Sequence, residues 1–140
     1  MLKRCLDIIL SFSCLVILLP VFFIAGLFIR TESKGPIIFK QTRTGKGGKH
    51  FTLYKLRTMI TDVSRNDIYT TPTDDPRITK SGKFLRKYNL DELTQFANVL
   101  KGDMSIVGPR PEIPQYTELY TEEERTILSV RPGITDLATL

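Results

Sequence analysis

The stretch IILSFSCLVILLPVFFIAGLFI, from Ile8 to Ile29, decides how this chain is organised. It carries no charged side chain over 22 residues, and a straight helix of that length covers about 33 Å, enough to cross a bilayer. One transmembrane helix is the plainest interpretation. A signal peptide fits less well, because the run is long, Asp7 precedes it and no small-residue cleavage pattern follows it.

Two features of this stretch favour a third arrangement, a re-entrant helix that enters the membrane and returns on the same side. Pro20 lies near the middle and removes a backbone hydrogen bond, so we expect a kink or break there. Cations also flank both ends, whereas a spanning helix carries a positive bias toward one side. The residues alone leave the spanning and the re-entrant helix open.

Composition limits the rest of the chain to one small domain. The chain has 140 residues, so beyond a membrane element at 1–30 the segment 31–140 can build one modest core. The net charge of +5 suits solvated lysines, an anionic membrane surface, a phosphorylated substrate or nucleic acid. The sequence contains no aromatic-rich basic motif of a nucleic-acid-binding fold, so we expect no nucleic-acid partner.

Local patterns predict a β-hairpin followed by helices. Residues 37–43 and 51–59 are typical of short strands, and the glycine-rich run 45–49 between them predicts the hairpin loop. Residues 60–79 are polar and predict a loop, while 78–88 fits either a short basic helix or an extended segment. The run Thr121-Glu122-Glu123-Glu124 is a capping-box signal for a helix that ends before Arg131.

The clearest helix prediction covers residues 90–101. An apolar stripe recurs there at helical spacing, Asn89 is a plausible N-cap, and Gly102 is a plausible stop. An α-helical period places three polar side chains on one face, namely Asp91, Gln95 and Asn98.

Asp91 and Glu92 begin this segment and are the candidate catalytic pair. Carboxylates are common in the first turn of a helix for capping and dipole reasons alone, so the pair also has a purely structural explanation. An aspartate can instead act as a covalent nucleophile toward phosphorus, provided that cations or a divalent metal neutralise the phosphates it attacks. The chain offers four cations for such neutralisation, namely Lys55, Arg57, Arg86 and Arg110.

The order of motifs along the chain closely resembles that of the bacterial sugar transferases, the monotopic phosphoglycosyl transferases, over essentially its whole length. The matching segments are Lys3-Arg4-x-x-Asp7, Pro20, the runs 35–45, 51–59, 75–79 and 82–86, Leu90-Asp91-Glu92-Leu93, the run 98–105, Gly108-Pro109-Arg110-Pro111 and the run 131–135.

The resemblance implies an α+β fold, with a re-entrant membrane helix at 1–30 and a cytoplasmic catalytic domain at 31–140 that contains a β-hairpin and several helices. It implies transfer of a sugar 1-phosphate from a UDP-sugar to undecaprenyl phosphate, with release of UMP, at the cytoplasmic face of the bacterial inner membrane. Asp91 matches the residue that forms the covalent intermediate and lies by Mg²⁺, and Glu92 matches its supporting partner. The phosphate-binding cations match Lys55, Arg86 and Arg110. Membrane lipid and downstream glycosyltransferases are the other implied partners.

Three departures from the family pattern qualify these expectations. Thr94 replaces a usual proline, which is expected to loosen the start of the helix, and Asp136 replaces a usual glycine and adds an anion near the phosphate site. The family also continues beyond the position of Leu140, so we expect uncovered apolar surface near Ile134, Leu137 and Leu140, and weak activity. The alternative function is a non-catalytic membrane module that binds polyprenyl phosphate or a partner glycosyltransferase.

Overall fold

The computed structural model describes residues 2–60 and 75–136, so the polar segment 61–74 and the expectations for Leu137 and Leu140 lie outside the described residues. The α-helices are α1 (Leu2–Glu32), α2 (Lys80–Lys87), α3 (Phe96–Lys101), α4 (Pro114–Thr117) and α5 (Glu122–Arg125). The strands are β1 (Ile38–Thr44), β2 (His50–Leu56), β3 (Ser105–Val107) and β4 (Gly133–Thr135), and 3₁₀ turns cover Lys46–Gly48, Leu90–Gln95 and Thr126–Ser129. This mixture of helices and short strands confirms the α+β class.

The predicted hairpin is present. Strands β1 and β2 pair antiparallel from Ile38↔Leu56 to Thr44↔His50, and the loop between them places Gly47 and Gly48 at φ values of 68° and 74°. Glycine occupies this left-handed region without the steric cost that other residues meet. Strand β2 ends at Leu56, three residues before the predicted end.

A second, parallel pair of strands escaped prediction. Strands β3 and β4 pair from Ser105↔Gly133 to Val107↔Thr135. Their backbones approach so closely that a Cβ atom on Gly133 would lie 2.1 Å from the backbone nitrogen of Gly108, and one on Gly108 would lie 2.4 Å from the carbonyl oxygen of Arg131. The two glycines therefore permit a contact that any side chain would prevent.

Strand β2 lies between two hydrophobic clusters. Leu56 packs with Ala25 and Ile29 of α1 and with Leu85 of α2. Leu53, on the same strand, packs with Val99 and Met104, and the partly buried Ile134 joins this second cluster. Ile134 is thus packed against the core instead of forming the uncovered apolar surface expected from sequence.

Both ends of α1 contact the same domain. Near the N-terminus, the Asp7 carboxylate accepts hydrogen bonds from Ser105 Oγ (2.8 Å) and Ile106 N (3.3 Å), and Arg4 donates to the Val99 carbonyl (2.7 Å). Near the C-terminus, the Arg57 guanidinium donates to several backbone carbonyls, those of Ser33 and Lys34 at 2.7 Å and that of Ile29 at 3.4 Å.

The middle of α1 is not buried by the domain. No residue from Phe12 to Ile24 is buried, although both ends of the helix are anchored. The helix is long and apolar enough to cross a membrane by length and composition. It runs continuously through Pro20, so the predicted helix–break–helix is wrong as to the break. A proline removes one hydrogen bond of the helix, and the turns on either side still form their own.

Candidate active site

The carboxylate pair lies on a 3₁₀ helix that comes just before α3. Asn89 is the N-cap residue, as predicted, but it adopts a left-handed conformation (φ 53°) and its side chain makes no capping hydrogen bond. The predicted single helix over 90–101 is instead a 3₁₀ helix over Leu90–Gln95 followed by α3, which Gly102 ends at φ 96° as predicted. Side chains three residues apart eclipse in a 3₁₀ helix, so Glu92 and Gln95 lie on the same side.

Thr94 ties this 3₁₀ helix to the hairpin. Its hydroxyl donates to the carbonyl of Tyr54 on β2 (2.9 Å) and to that of Asp91 (3.4 Å). The threonine that replaces the family's usual proline therefore adds a link between the pair and β2, where we expected a looser start.

Asp91 is a buried carboxylate without a hydrogen-bond donor from any other described residue. Its residue is 8% exposed. Burial raises the pKa of its carboxyl above the usual aspartate value; the positive charge of Lys55 opposes that rise, Glu92 adds to it, and Arg86 also opposes it. The two flanking cations thus favour the ionised form in a site where burial disfavours it.

Glu92 forms an ion pair with Lys55. Its Oε1 atom lies 2.7 Å from Lys55 Nζ, and both side chains are partly buried. Because Lys55 also acts on Asp91, this lysine links the two carboxylates of the pair electrostatically.

An open cleft of about 480 Å³ lies beside the pair. Its lining residues are Arg43, Leu53, Lys55, Glu92, Gln95, Arg110, Pro111, Gly133, Ile134 and Asp136. The structure therefore brings three of the five predicted site residues into one cleft, namely Lys55, Glu92 and Arg110. Asp91 and Arg86 are not among the lining residues; Arg86 acts on Asp91 through its charge and donates from Nε to Thr58 Oγ1 at 2.9 Å. Asp136 does bring an anion to the cationic cleft, as expected.

Arg43 is a cleft residue that sequence reasoning missed. Its guanidinium donates to the Pro111 carbonyl (3.0 Å) and to Gln41 Oε1 (2.8 Å from Nη2). On the other side of Arg110, the backbone nitrogen of Gly133 donates to the Pro109 carbonyl (2.9 Å). Both prolines that flank Arg110 are thus held in place. The available signal for Arg43 was its place on β1 beside the predicted phosphate cations.

Two predicted polar residues have structural positions instead. Arg57 does not line the cleft with Lys55; it lies buried against the C-terminal end of α1. Asn98, expected on a polar face with Asp91 and Gln95, is fully buried and links β2 to α3 by accepting from Tyr54 N (3.1 Å) and donating to the Thr52 carbonyl (2.7 Å).

The site suits a magnesium ion that shares its ligands with a substrate. Among the described residues, no group of three or more His, Cys, Asp or Glu side chains could hold a metal ion alone. Magnesium is, however, commonly held by one or two carboxylates together with substrate phosphates and water. Asp91, whose carboxylate accepts no hydrogen bond from another described residue, could supply such a ligand next to the cationic cleft.

A long apolar helix anchored to a small α+β domain, with an acidic pair beside a cationic cleft, is the arrangement of an enzyme that handles phosphates at a membrane. The family model described as bacterial sugar transferase matches residues 1–140, and the chain belongs to this family of phosphoglycosyl transferases.

Three relatives make the comparison specific. A Bacillus subtilis protein provisionally named as an undecaprenyl-phosphate N-acetylgalactosaminyl 1-phosphate transferase is 46% identical over 86% of this chain and 68% of its own length. The UDP-glucose:undecaprenyl-phosphate glucose-1-phosphate transferase of Escherichia coli is 44% identical over 99% of this chain, which spans 30% of that protein. The exopolysaccharide production protein PSS of Rhizobium leguminosarum is 43% identical over 98% of this chain and 72% of its own length.

Proposed function

We propose that this chain transfers a sugar 1-phosphate from a UDP-sugar to undecaprenyl phosphate at a membrane surface, through a covalent intermediate on Asp91, with release of UMP. The names of the relatives support the acceptor and the kind of reaction. The observation that carries the proposal is the state of the Asp91 carboxylate. Asp91 is buried, and its carboxylate accepts no hydrogen bond from another described residue. The positive charges of Lys55 and Arg86 both act on it.

The first half-reaction follows from the chemistry of the donor. A carboxylate oxygen of Asp91 attacks the phosphorus that carries the sugar; a new P–O bond forms, and the P–O bond to the leaving phosphate of UMP breaks with its electron pair. Lys55 and Arg110 neutralise the diphosphate and the charge that develops on the leaving group. Asp91 would hold Mg²⁺, which would supply further neutralisation of the donor phosphates.

The second half-reaction returns the enzyme to its starting state. A phosphate oxygen of undecaprenyl phosphate attacks the same phosphorus, and the bond to Asp91 breaks to regenerate the carboxylate. Glu92, paired with Lys55, has a supporting or proton-handling role beside that centre. The exposed apolar middle of α1 supports a location of the domain at a lipid surface, where such an acceptor resides. The product then begins glycan assembly, in keeping with the name of the Rhizobium relative.

Label transfer tests the covalent step. Incubation with a UDP-sugar carrying ³²P next to the sugar, without acceptor, should leave label on the wild-type protein and none on Asp91→Asn, and steady-state kinetics should be ping-pong. Glu118 is an exposed carboxylate that is distant in sequence from Asp91 and Glu92, so Glu118→Gln is the matched control and should label normally. Label on Asp91→Asn would refute the covalent role.

Three further variants test the cations. Arg110→Ala, Arg86→Ala and Lys55→Ala should each lower kcat/KM by on the order of 10²-fold, the usual loss when one preorganised charge is removed. Near wild-type kcat/KM in all three variants would show that these residues are only surface charges.

Membrane placement has its own test. We propose that both ends of α1 face the cytoplasm, because both contact the same domain. A cysteine at position 2, in a Cys5→Ser, Cys14→Ser background, should resist an impermeant thiol reagent applied to intact cells and react after lysis. Labelling of intact cells would show a spanning helix.

A further inference from the structure

Gln95 is a buried residue that borders the cleft and has no side-chain partner among the described residues. The residue is 3% exposed and lines the cleft, and its side chain makes no hydrogen bond with any described residue. Asn98, the next buried amide along the chain, differs sharply, because its amide contacts Tyr54 N, the Thr52 carbonyl and Asp103. Two buried amides on adjoining helical turns are thus treated differently by the fold.

The Gln95 amide is not among the fully buried polar groups that lack a partner, so its polar end keeps a small contact with solvent through the cleft. The fold already uses one amide, Asn98, to hold its own backbone. Gln95 makes no comparable contact in the described structure, so its amide is available to a ligand in the cleft.

The geometry of the 3₁₀ helix aims this amide at the donor. Glu92 and Gln95 are three residues apart, so their side chains eclipse and both line the cleft. Three cations line the same cleft and suit a diphosphate: Arg43, Lys55 and Arg110. The amide therefore lies in the same cleft as the cations that suit the diphosphate, and Pro111 and Ile134 add apolar surface to that cleft.

A side-chain amide carries both a hydrogen-bond donor and an acceptor, which limits the ligand groups that can satisfy it. A phosphate only accepts hydrogen bonds, so it would pair with the amide NH₂ and leave the amide oxygen unsatisfied. A ligand group that places a donor beside an acceptor satisfies both. The imide edge of uracil has this pattern, and so do neighbouring hydroxyl groups of a sugar.

We propose that Gln95 is a donor-recognition residue, whose amide forms a paired hydrogen bond with the uracil or with the sugar hydroxyls of the UDP-sugar. This inference rests on the proposed function and adds a contact to the non-phosphate part of the donor. Recognition of this kind acts on substrate binding and leaves the chemical step unchanged.

The main test replaces the amide by an apolar side chain of similar length. Gln95→Met should raise the KM for the UDP-sugar about tenfold, the equivalent of about 1.4 kcal/mol, with kcat changed less than twofold. Gln115→Met, an exposed glutamine on α4, is the matched control and should leave KM unchanged. Gln95→Glu keeps the shape but places an anion beside the donor phosphates, so its KM should rise further.

Direct binding of UMP by calorimetry identifies the recognised group. If UMP affinity falls by the same factor as donor affinity, Gln95 contacts the uracil; if UMP affinity holds while donor KM rises, it contacts the sugar. Unchanged KM and unchanged UMP affinity in both Gln95 variants, with wild-type thermal unfolding, would overturn the inference. A wild-type protein that releases no UMP from any UDP-sugar contradicts the proposed function instead, so the two failures are distinguishable.

Discussion

Two buried aspartates of this molecule have opposite surroundings. Asp7, on α1, is 6% exposed and accepts hydrogen bonds from Ser105 and Ile106, with Lys3 Nζ at 3.6 Å. Asp91, on the 3₁₀ helix, is 8% exposed, and its carboxylate accepts no hydrogen bond from another described residue. The same buried side chain is hydrogen-bonded by the fold in one region and has no donor from another described residue in the other.

This difference separates an anchor from the group that we propose as the nucleophile. Buried carboxylates that serve the fold are paired and hydrogen-bonded, because an unpaired charge in a low-dielectric surrounding is costly. A carboxylate that must attack phosphorus has to keep its lone pairs available, and the folded protein carries that cost. Loss of the first aspartate should therefore weaken the fold, and loss of the second should strengthen it.

The largest effect is expected at the anchor. Asp7→Ala should lower the free energy of unfolding by about 3 kcal/mol, since it removes a charged acceptor and leaves two buried donors unpaired. Thermal unfolding in detergent, followed by circular dichroism, measures the change. Asp7→Asn, which retains one acceptor oxygen, should lose less. A wild-type Tm in Asp7→Ala would show that the contact with β3 contributes nothing to stability.

Removal of one donor should give a smaller loss. Ser105→Ala takes away the shorter hydrogen bond to Asp7 and should cost about 1 kcal/mol, with the bond from the Ile106 nitrogen remaining. The exposed Ser129 offers a matched control, and Ser129→Ala should leave Tm unchanged. In the Asp7→Ala background the Ser105 substitution should have almost no further effect, and full additivity would contradict the proposed contact.

The opposite sign is expected at the site. Asp91→Asn should raise the free energy of unfolding by about 1 kcal/mol, because a neutral amide is less costly to bury than an unpaired carboxylate. Glu92→Gln is the control, since it breaks the Lys55 ion pair and should give no gain. A lower Tm in Asp91→Asn would place Asp91 with the structural carboxylates.

The smallest effect concerns pH. Burial raises the pKa of Asp91, so the folded state keeps the proton at pH values where the unfolded chain has lost it. The stability of the wild type should therefore fall as pH rises from the ordinary aspartate value of 3.8 through the raised pKa. The Tm advantage of Asp91→Asn should be absent at acid pH and grow over that interval. An advantage that is constant with pH would contradict the raised pKa.

Local patterns in the sequence predicted the apolar helix, the hairpin with its glycine loop, the stop at Gly102 and the capping box at Thr121, which the structure contains. These features depend on neighbours a few residues away. The parallel pairing of β3 with β4 depends on segments that are distant in sequence, and three-residue strands carry little periodicity of their own.

The site divides in the same way. The resemblance identified Lys55, Glu92 and Arg110, which do share the cleft. Arg57 is chemically as suitable as Lys55 for binding phosphate. It donates to backbone carbonyls instead, because the C-terminal end of α1 packs against it, and this contact depends on the tertiary fold. Gln95 was placed on a polar face by an α-helical period, and its burial depends on a 3₁₀ geometry that the composition of 90–95 does not distinguish from an α-helix.

The 3₁₀ helix also sets the angle between Glu92 and Gln95. Successive residues of a 3₁₀ helix are rotated by about 120° around the helix axis, whereas successive residues of an α-helix are rotated by about 100°. From Glu92 to Gln95 the two geometries thus differ by about 60° of rotation and about 1.5 Å of length. A change of this segment to α-helix would swing the amide out of line with the carboxylate, so the winding of six residues sets whether both side chains address the same ligand.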